Sequence, residues 1–128
     1  MMNNILLYEP DQERVSHLLF LLNLADLHGT VARTIEEAYN WLSADRQEVI
    51  KFDLFLLGSL QEDELEKKLL PEMSDLITVP IIYIKQEATN LPEFLSDKTI
   101  NCHPVNLLSC LHECLVAEKK NSHPVLQQ

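Results

Sequence analysis

The sequence KFDLFLLGS at residues 51–59 begins with polar residues, continues as an apolar run of strand length and stops at Gly58. A run that is apolar on both alternating faces is typical of a strand buried on both sides, in the middle of a parallel sheet. In open parallel sheets the functional residues lie beyond the carboxyl ends of the strands. Gly58 stands at that end and offers no side chain, so the clearest functional feature of this stretch is an absence.

Strand-like and helix-like segments alternate along the rest of the chain. Short apolar runs predict strands, and apolar residues that recur every three or four positions predict amphipathic helices. The sequence TIEE at 34–37 is a capping box, and Asp11 and Asn106 suit the N-caps of two other helices. In chain order, the predicted elements are a strand at 5–8, a helix at 11–26, a strand at 30–33, a helix at 34–46, a strand within 51–59, a helix at 61–73, a strand at 79–84, a strand at 99–102 and a helix at 107–118.

Glycine and proline set the expected limits of two of these elements. Gly29 is interpreted as a break before the second strand. In the third helix, Leu65, Leu69 and Leu70 are expected to face inward, and Pro71 is expected to end or kink the helix early.

The segment between the fourth and fifth strands, residues 85–98, is the weakest for regular structure. Pro92 leaves room there for at most a short helix near 93–96. The alternation of strands and helices elsewhere predicts an α/β fold, a three-layer sandwich around a five-stranded parallel sheet.

Length and composition favour a single domain at residues 1–118, followed by a polar tail at 119–128. The formal net charge of -10 repels phosphate backbones, so direct binding of nucleic acid is disfavoured. No apolar run reaches the roughly 18 residues of a membrane-spanning helix, and no signal-peptide pattern is visible. Three cysteines without framework spacing suggest a reducing, cytoplasmic location.

Together these segments resemble the receiver domains of bacterial response regulators over residues 5–116. The resemblance rests on the order and spacing of ILLYEPD at 5–11, Gly29, EEA at 36–38, FDLFLL at 52–57, VPIIYI at 79–84 and HP at 103–104. It implies the flavodoxin-like (CheY-like) fold with strand order 2-1-3-4-5. The helix that the family carries between its fourth and fifth strands would be short or missing here.

The chemistry of that family takes place in one pocket with five side chains. Two acids after the first strand hold Mg²⁺, and an aspartate at the end of the third strand accepts the phosphoryl group. A Thr or Ser ends the fourth strand, and a Lys precedes a proline after the fifth. By the resemblance, these positions fall on Glu9 and Pro10 with Asp11 beside them, on Gly58, on Lys85, and on His103 before Pro104. Without a carboxylate at residue 58 no acyl phosphate can form, so the resemblance implies a degenerate pseudo-receiver without catalytic residues or cofactor.

The resemblance carries three further expectations. The aromatic residue that couples the pocket to the output face of the family falls on Ile100. The bond between His103 and Pro104 is expected to be cis. Lys85 is expected either to pair with Glu9 or Asp11 inside the pocket or to extend to water, with equal weight on the two.

Other chemistry-bearing residues have simpler interpretations. Ser59 could replace the missing acceptor, but no paired base is evident, so it is interpreted as a surface serine. Asp53 lies at the amino end of its strand and is interpreted as structural. A cluster of cysteine and histidine residues near the C-terminus could hold a metal. Leucines occupy the neighbouring inward positions, however, so core packing is favoured and no metal site is predicted. This group comprises Cys102, His103, Cys110, His112 and Cys114.

The leading hypothesis is a non-enzymatic, phosphorylation-independent signalling module that binds another, unidentified signalling protein; a homodimer is a further option. The candidate interface is Leu91, Phe94 and Leu95 beside the last helix, although these residues could equally fold back as core. One alternative is a small flavodoxin-like enzyme or nucleotide-binding domain, which the presence of only two glycines disfavours. Another is a regulatory domain of a larger two-component protein.

Overall fold

A computed structural model describes residues 3–60, 63–84 and 99–121. Its strands are β1 (Asn3–Tyr8), β2 (Leu27–Ala32), β3 (Leu54–Leu57), β4 (Ile81–Ile84) and β5 (Thr99–Cys102). Its α-helices are α1 (Gln12–Leu24), α2 (Ile35–Arg46), α3 (Glu64–Ser74) and α4 (Leu107–Asn121), the last preceded by a 3-10 turn at Pro104–Asn106.

The five strands form one parallel sheet with the order β2-β1-β3-β4-β5. Strand β3 lies in the centre and its four residues are all buried, as the apolar run had predicted. The predicted flavodoxin-like architecture is therefore confirmed. The shortened helix expected between β4 and β5 lies outside the described residues.

Two helical layers cover the two faces of the sheet. Helices α1 and α4 pack on one face, where Leu18, Leu22, Leu107 and Leu111 meet side chains from β1, β3 and β4. Helices α2 and α3 pack on the other face. No helix in the described ranges is both long enough and apolar enough to cross a bilayer.

Local polar residues set the starts of the helices largely as predicted. The Asp11 carboxylate caps α1 by accepting a hydrogen bond from the backbone N–H of Arg14, and the Thr34 hydroxyl caps α2 through the N–H of Glu37. Asp53 is structural, as predicted, because its carboxylate accepts the Asn4 N–H at 2.8 Å and pins the start of β1 beside β3.

The second strand corrects the interpretation of Gly29, which lies inside β2 rather than before it. A Cβ atom at this position would come within 2.8 Å of Leu19 and 2.9 Å of Leu22. The glycine is therefore needed because α1 packs closely against β2, and not because the chain turns there.

The third helix differs from the prediction at both ends. It begins at Glu64 and continues through Pro71 to Ser74, so the proline does not end it early. Leu65, expected to face inward, is exposed, and Glu66 is buried instead. The physical reason is a hydrogen bond from the Tyr8 hydroxyl to the Glu66 carboxylate, which draws a polar residue onto the inner face of the helix.

The last helix begins at Leu107, as predicted, and a 3-10 turn at Pro104–Asn106 precedes it. His103 caps this turn, since its Nδ1 accepts the N–H of Val105 at 3.4 Å. The described residues contain no cis peptide bond, so the expected cis His103–Pro104 bond is wrong. Pro104 instead occupies the first position of the 3-10 turn, where a proline ring is already suited to helical geometry. The last helix also runs past its predicted end, to Asn121.

Candidate functional site

A cleft of about 290 Å³ opens at the carboxyl edge of the sheet. Strands β1 and β3 end here side by side, because Tyr8 pairs with Leu57 in the parallel ladder. The cleft is lined by Glu9, Asp11, Glu13, Arg14, His17, Leu18, Gly58, Ile84 and Pro104. Four of the residues that the resemblance placed in the pocket therefore surround one space: Glu9, Asp11, Gly58 and Pro104.

The Glu9 carboxylate is the central group of this site and is only 1% exposed. Its Oε2 accepts the backbone N–H of Asp11 at 3.0 Å. The Ser59 hydroxyl lies 2.8 Å from Oε1 and 2.7 Å from Oε2, so its single proton is shared between the two oxygens. A buried carboxylate needs such donors, because leaving it without them would cost several kcal/mol.

Ser59 links this carboxylate to a cation. Arg14, from the first turn of α1, donates from Nη1 to the Ser59 Oγ at 2.9 Å. The hydroxyl thus accepts from a guanidinium and donates to a carboxylate, which aligns its dipole between the two charges. Ser59 had been interpreted as a surface serine without a paired base. The structure corrects this, since the serine is half-buried and its hydroxyl donates to the Glu9 carboxylate.

Gly58 lies directly against Glu9. Its backbone N–H donates to the Tyr8 carbonyl at 2.9 Å, which continues the ladder one residue beyond β3. A Cβ atom at this position would lie 3.1 Å from the Tyr8 carbonyl oxygen. It would lie even closer to Glu9 Oε1, at a distance that Cβ atoms in proteins essentially never show. Its backbone φ is not positive. A side chain at residue 58 would therefore have to displace the Glu9 carboxylate, which fills that volume, and would crowd the Tyr8 carbonyl.

The chain after Glu9 is held by a second arginine. Arg33 donates from Nη2 to the Pro10 carbonyl at 3.1 Å and from Nη1 to the Gln12 side chain at 2.6 Å. Pro10 is half-buried, and Asp11 is exposed because its carboxylate is used as the N-cap of α1. These contacts fix the loop between β1 and α1.

Of the other predicted pocket residues, only His103 is found in a different place. His103 is exposed and is not among the residues that line the cleft, since its imidazole caps the 3-10 turn. Lys85 lies outside the described residues, so the proposed pair with Glu9 or Asp11 stays a prediction. The same holds for the candidate interface of Leu91, Phe94 and Leu95.

The cleft residues at the family's metal-binding positions do not form its Mg²⁺ site. That site uses carboxylates around one ion, but here Glu9 is engaged by Ser59 and Asp11, and residue 58 has no side chain. Among residues 3–60, 63–84 and 99–121, no group of three or more His, Cys, Asp or Glu side chains is close enough to hold a metal ion.

A second buried carboxylate lies behind the cleft. Glu66, on α3, is 1% exposed and accepts the Tyr8 hydroxyl at 2.6 Å. Burial, followed by this hydrogen bond to Glu66, raises the pKa of Tyr8 far above its ordinary value. The pair anchors α3 to β1. The alternation of leucines in α3 gave no signal for it, although a tyrosine that ends a buried strand does require a partner for its hydroxyl.

The cysteines belong to the core, as predicted. Cys102 and Cys114 are buried in the layer between the sheet and helices α1 and α4, and Cys110 packs against that layer. Burial raises the pKa of the Cys102 thiol to about 12, with the neighbouring Cys110 adding to the effect. Ile100, at the position of the coupling aromatic, lies on edge strand β5 and is about half exposed.

No protein-family model matches the chain, and no curated protein is significantly similar to it. Solved structures do match. One is a response regulator receiver domain (CheY-like) from Methylobacillus flagellatus, with TM-score 0.70 and 12% identity over 89% of this chain and 99% of that one.

Two further solved structures support the same fold. The N-terminal domain of a response regulator/sensory box/GGDEF protein from Carboxydothermus hydrogenoformans has TM-score 0.68 and 15% identity over 94% of this chain and 100% of that one. The signal receiver domain of a histidine kinase from Syntrophus aciditrophicus has TM-score 0.62 and 23% identity over 90% and 91% of the two chains. The chain therefore has the fold of response regulator receiver domains.

Proposed function

We propose that this chain is a non-enzymatic, phosphorylation-independent signalling module, a pseudo-receiver that acts by binding another protein. The observation that carries the proposal is the arrangement of Glu9 and Gly58. The Glu9 carboxylate occupies the space beyond β3 in which a phosphoryl-accepting side chain would have to lie, and Gly58 leaves that space to it.

The chemistry of the site supports the absence of phosphoryl transfer. An acyl phosphate requires a carboxylate whose oxygen attacks phosphorus, and residue 58 has no side chain. Ser59 offers a hydroxyl, which is hydrogen-bonded to Glu9 and Arg14, and a hydroxyl cannot form an acyl phosphate. A phosphoryl group on Ser59 would also lie against a buried carboxylate, which like-charge repulsion disfavours.

The remaining parts of the proposal concern context. The module comprises residues 1–118, on its own or as a domain of a longer two-component regulator. The net charge of -10 argues against a direct role on nucleic acid. The free cysteines of the described ranges suit a reducing cytoplasm. The partner is another signalling protein, and Leu91, Phe94 and Leu95 are kept as a candidate contact for it.

Intact mass spectrometry tests this proposal. After incubation with acetyl phosphate and Mg²⁺, we expect no gain of the about 80 Da that one phosphoryl group adds. A gain that is removed by hydroxylamine would reveal an acyl phosphate and would contradict the proposal. A gain that resists hydroxylamine and disappears in Ser59→Ala would identify the serine as an acceptor and would contradict it equally.

A further inference from the structure

Charge is distributed unevenly over this acidic chain. Residues 15–32, which run from α1 through β2, contain one charged residue, Asp26, and residues 99–116, which run from β5 into α4, also contain one, Glu113. The other eighteen acidic residues and all ten basic residues lie elsewhere. Because α1 and α4 cover the same face of the sheet, the two segments form one side of the molecule with few charges, here called the α1/α4 face. In the sequence it is bordered by the charged residues at 13–14 and 118–120.

The α1/α4 face also carries most of the exposed apolar side chains. Five of the seven large hydrophobic residues that are exposed in the described ranges belong to it: Phe20, Leu24, Ile100, Val105 and Leu108. Phe20 and Leu24 lie one turn apart on α1, and each is 59% exposed. A concentration of apolar residues where charge is missing is typical of a surface that another protein covers.

The same face contains a groove next to these protruding residues. It has a volume of about 190 Å³ and lies between the end of α1 and helix α4. Ala25 and Leu27 line one side, and Leu108, Leu111 and Leu115 line the other. Asn3 and His112 also line the groove, whose other lining residues are apolar. The α1/α4 face thus combines an apolar protrusion, Phe20 with Leu24, and a mainly apolar groove.

We propose that two copies of this chain associate through the α1/α4 face, with Phe20 and Leu24 of each copy in the groove of the other. A two-fold contact must be self-complementary, and this face holds both halves of the required fit. The distribution of charge also favours a second copy of this chain as the partner. Two copies with a net charge of -10 repel each other, and the repulsion is weakest where charge is sparse. Within residues 15–32 and 99–116 each copy offers only Asp26 and Glu113, and the other charges of the two helices lie at the start of α1 and at the end of α4.

The size of the face sets the expected strength. Helix α1 has 13 residues, so the layer of two helices measures on the order of 20 Å by 20 Å. An interface of this size belongs with weak, transient contacts. We therefore expect a reversible dimer with a dissociation constant on the order of 100 µM.

Sedimentation velocity over about 10 to about 500 µM protein tests the association. Phe20→Glu should weaken it at least about tenfold, because a carboxylate cannot be buried in an apolar groove without a partner. Val49→Glu is the matched control. It adds the same charge at an apolar residue that is 76% exposed and lies outside the face, and we expect a dissociation constant within about twofold of wild type. Higher salt should strengthen association by screening the net charge.

A mixing experiment separates a direct contact from a loss of folding. Phe20→Glu alters the protrusion and Leu108→Lys alters the groove, and each variant alone should be monomeric while melting like wild type. Mixed in equal amounts, they should form a heterodimer. In it, one contact pairs the introduced carboxylate with the introduced ammonium, and the other keeps the wild-type apolar fit.

Three outcomes would overturn the proposal. One is a wild-type chain that stays monomeric over the whole range, which would leave the face to a different protein. Another is equal weakening by Phe20→Glu and Val49→Glu. The last is a mixture that remains monomeric. None of these measurements depends on the cleft at Glu9, so the dimer proposal and the proposed function can each fail without the other.

Discussion

Two buried carboxylates, Glu9 and Glu66, are bound in the same way but in different surroundings. Each is 1% exposed and each accepts a hydrogen bond from one hydroxyl, that of Ser59 for Glu9 and that of Tyr8 for Glu66. The hydroxyl at Glu9 also contacts the half-buried Arg14 beside an open cleft. The hydroxyl at Glu66 is enclosed between β1 and α3.

The difference follows from where two neighbouring residues leave the sheet. Tyr8 is the last residue of β1 and points into the core, whereas Glu9 is the first residue beyond it and reaches the carboxyl edge. The pairing of a hydroxyl with a buried carboxylate therefore anchors α3 to β1 in the case of Tyr8 and Glu66. In the case of Ser59 and Glu9 it fills the site at the carboxyl edge of the sheet. Substitutions at the two places should separate these roles by their energetic cost and by their dependence on solvent.

Gly58→Asp should have the largest effect of the substitutions at these carboxylates. It places a second carboxylate in space that Glu9 already fills, and an uncompensated buried charge costs about 3–5 kcal/mol. The free energy of unfolding, measured in urea, should fall by that amount.

Gly58→Asn is the matched control for this substitution, because it adds almost the same volume without charge. It should cost about 1–3 kcal/mol through overpacking alone. Adding Glu9→Ala to either variant should recover most of the loss by emptying the contested space. If Gly58→Asp alone were as stable as wild type, the packing of Glu9 against residue 58 would be wrong.

Tyr8→Phe should have the next largest effect. It removes the hydroxyl that donates to the buried Glu66 carboxylate, and hydrogen bonds to charged groups contribute about 1.5–3 kcal/mol. Urea unfolding measures the loss. Tyr39→Phe, on the half-buried side of α2, is the control and should change stability by less than about 0.5 kcal/mol.

Alkaline pH gives this pair a second signature. Because the pKa of Tyr8 is raised in the folded chain, its contribution is complete below pH about 10, the ordinary tyrosine value. Above that pH the unfolded chain loses the proton while the folded chain keeps it, so wild-type stability should fall by up to about 1.4 kcal/mol per pH unit. Tyr8→Phe should lack this part of the slope. An identical slope in both proteins would contradict the enclosed pair.

Ser59→Ala should have the smallest effect of the three. It removes a donor to Glu9 and the acceptor of Arg14, but water in the cleft can replace part of both contacts. The expected loss is about 1 kcal/mol by urea unfolding, against no more than about 0.5 kcal/mol for the exposed Ser16→Ala on α1. A loss larger than that of Tyr8→Phe would show that the edge site is as closed as the interior one.

The fold could be predicted from the sequence because hydrophobic periodicity is a local signal. The buried run in β3 and the alternation of strands and helices followed from it. The N-caps Asp11 and Thr34 followed from their polar side chains, and the order of the strands came from the resemblance to receiver domains. Gly29 was misinterpreted because the reason for a glycine there is a close approach of Leu19 and Leu22, which only the packed structure contains.

The candidate site could be predicted only in outline. Glu9, Gly58 and Pro104 were placed together by the resemblance, but the link from Ser59 to Arg14 joins residues that are far apart in the chain. Glu66 was missed for the same reason, since the Tyr8 hydroxyl that binds it belongs to a different element. Long-range polar contacts leave no periodic pattern in a sequence, and His103 shows that a loop residue can be used as a cap instead of as a pocket group.

The tight contact between Glu9 and Gly58 also bears on how the site can change by mutation. Two of the four glycine codons become aspartate codons by one nucleotide change, so Gly58→Asp is a single mutational step from either of them. In this chain such a variant meets the Glu9 carboxylate and loses stability before it can gain phosphoryl chemistry. A functional acceptor would need a second change at Glu9, and selection against the unstable single mutant separates the two steps. The packing of Glu9 against Gly58 therefore disfavours the stepwise mutation of this site into a phosphoryl-accepting one.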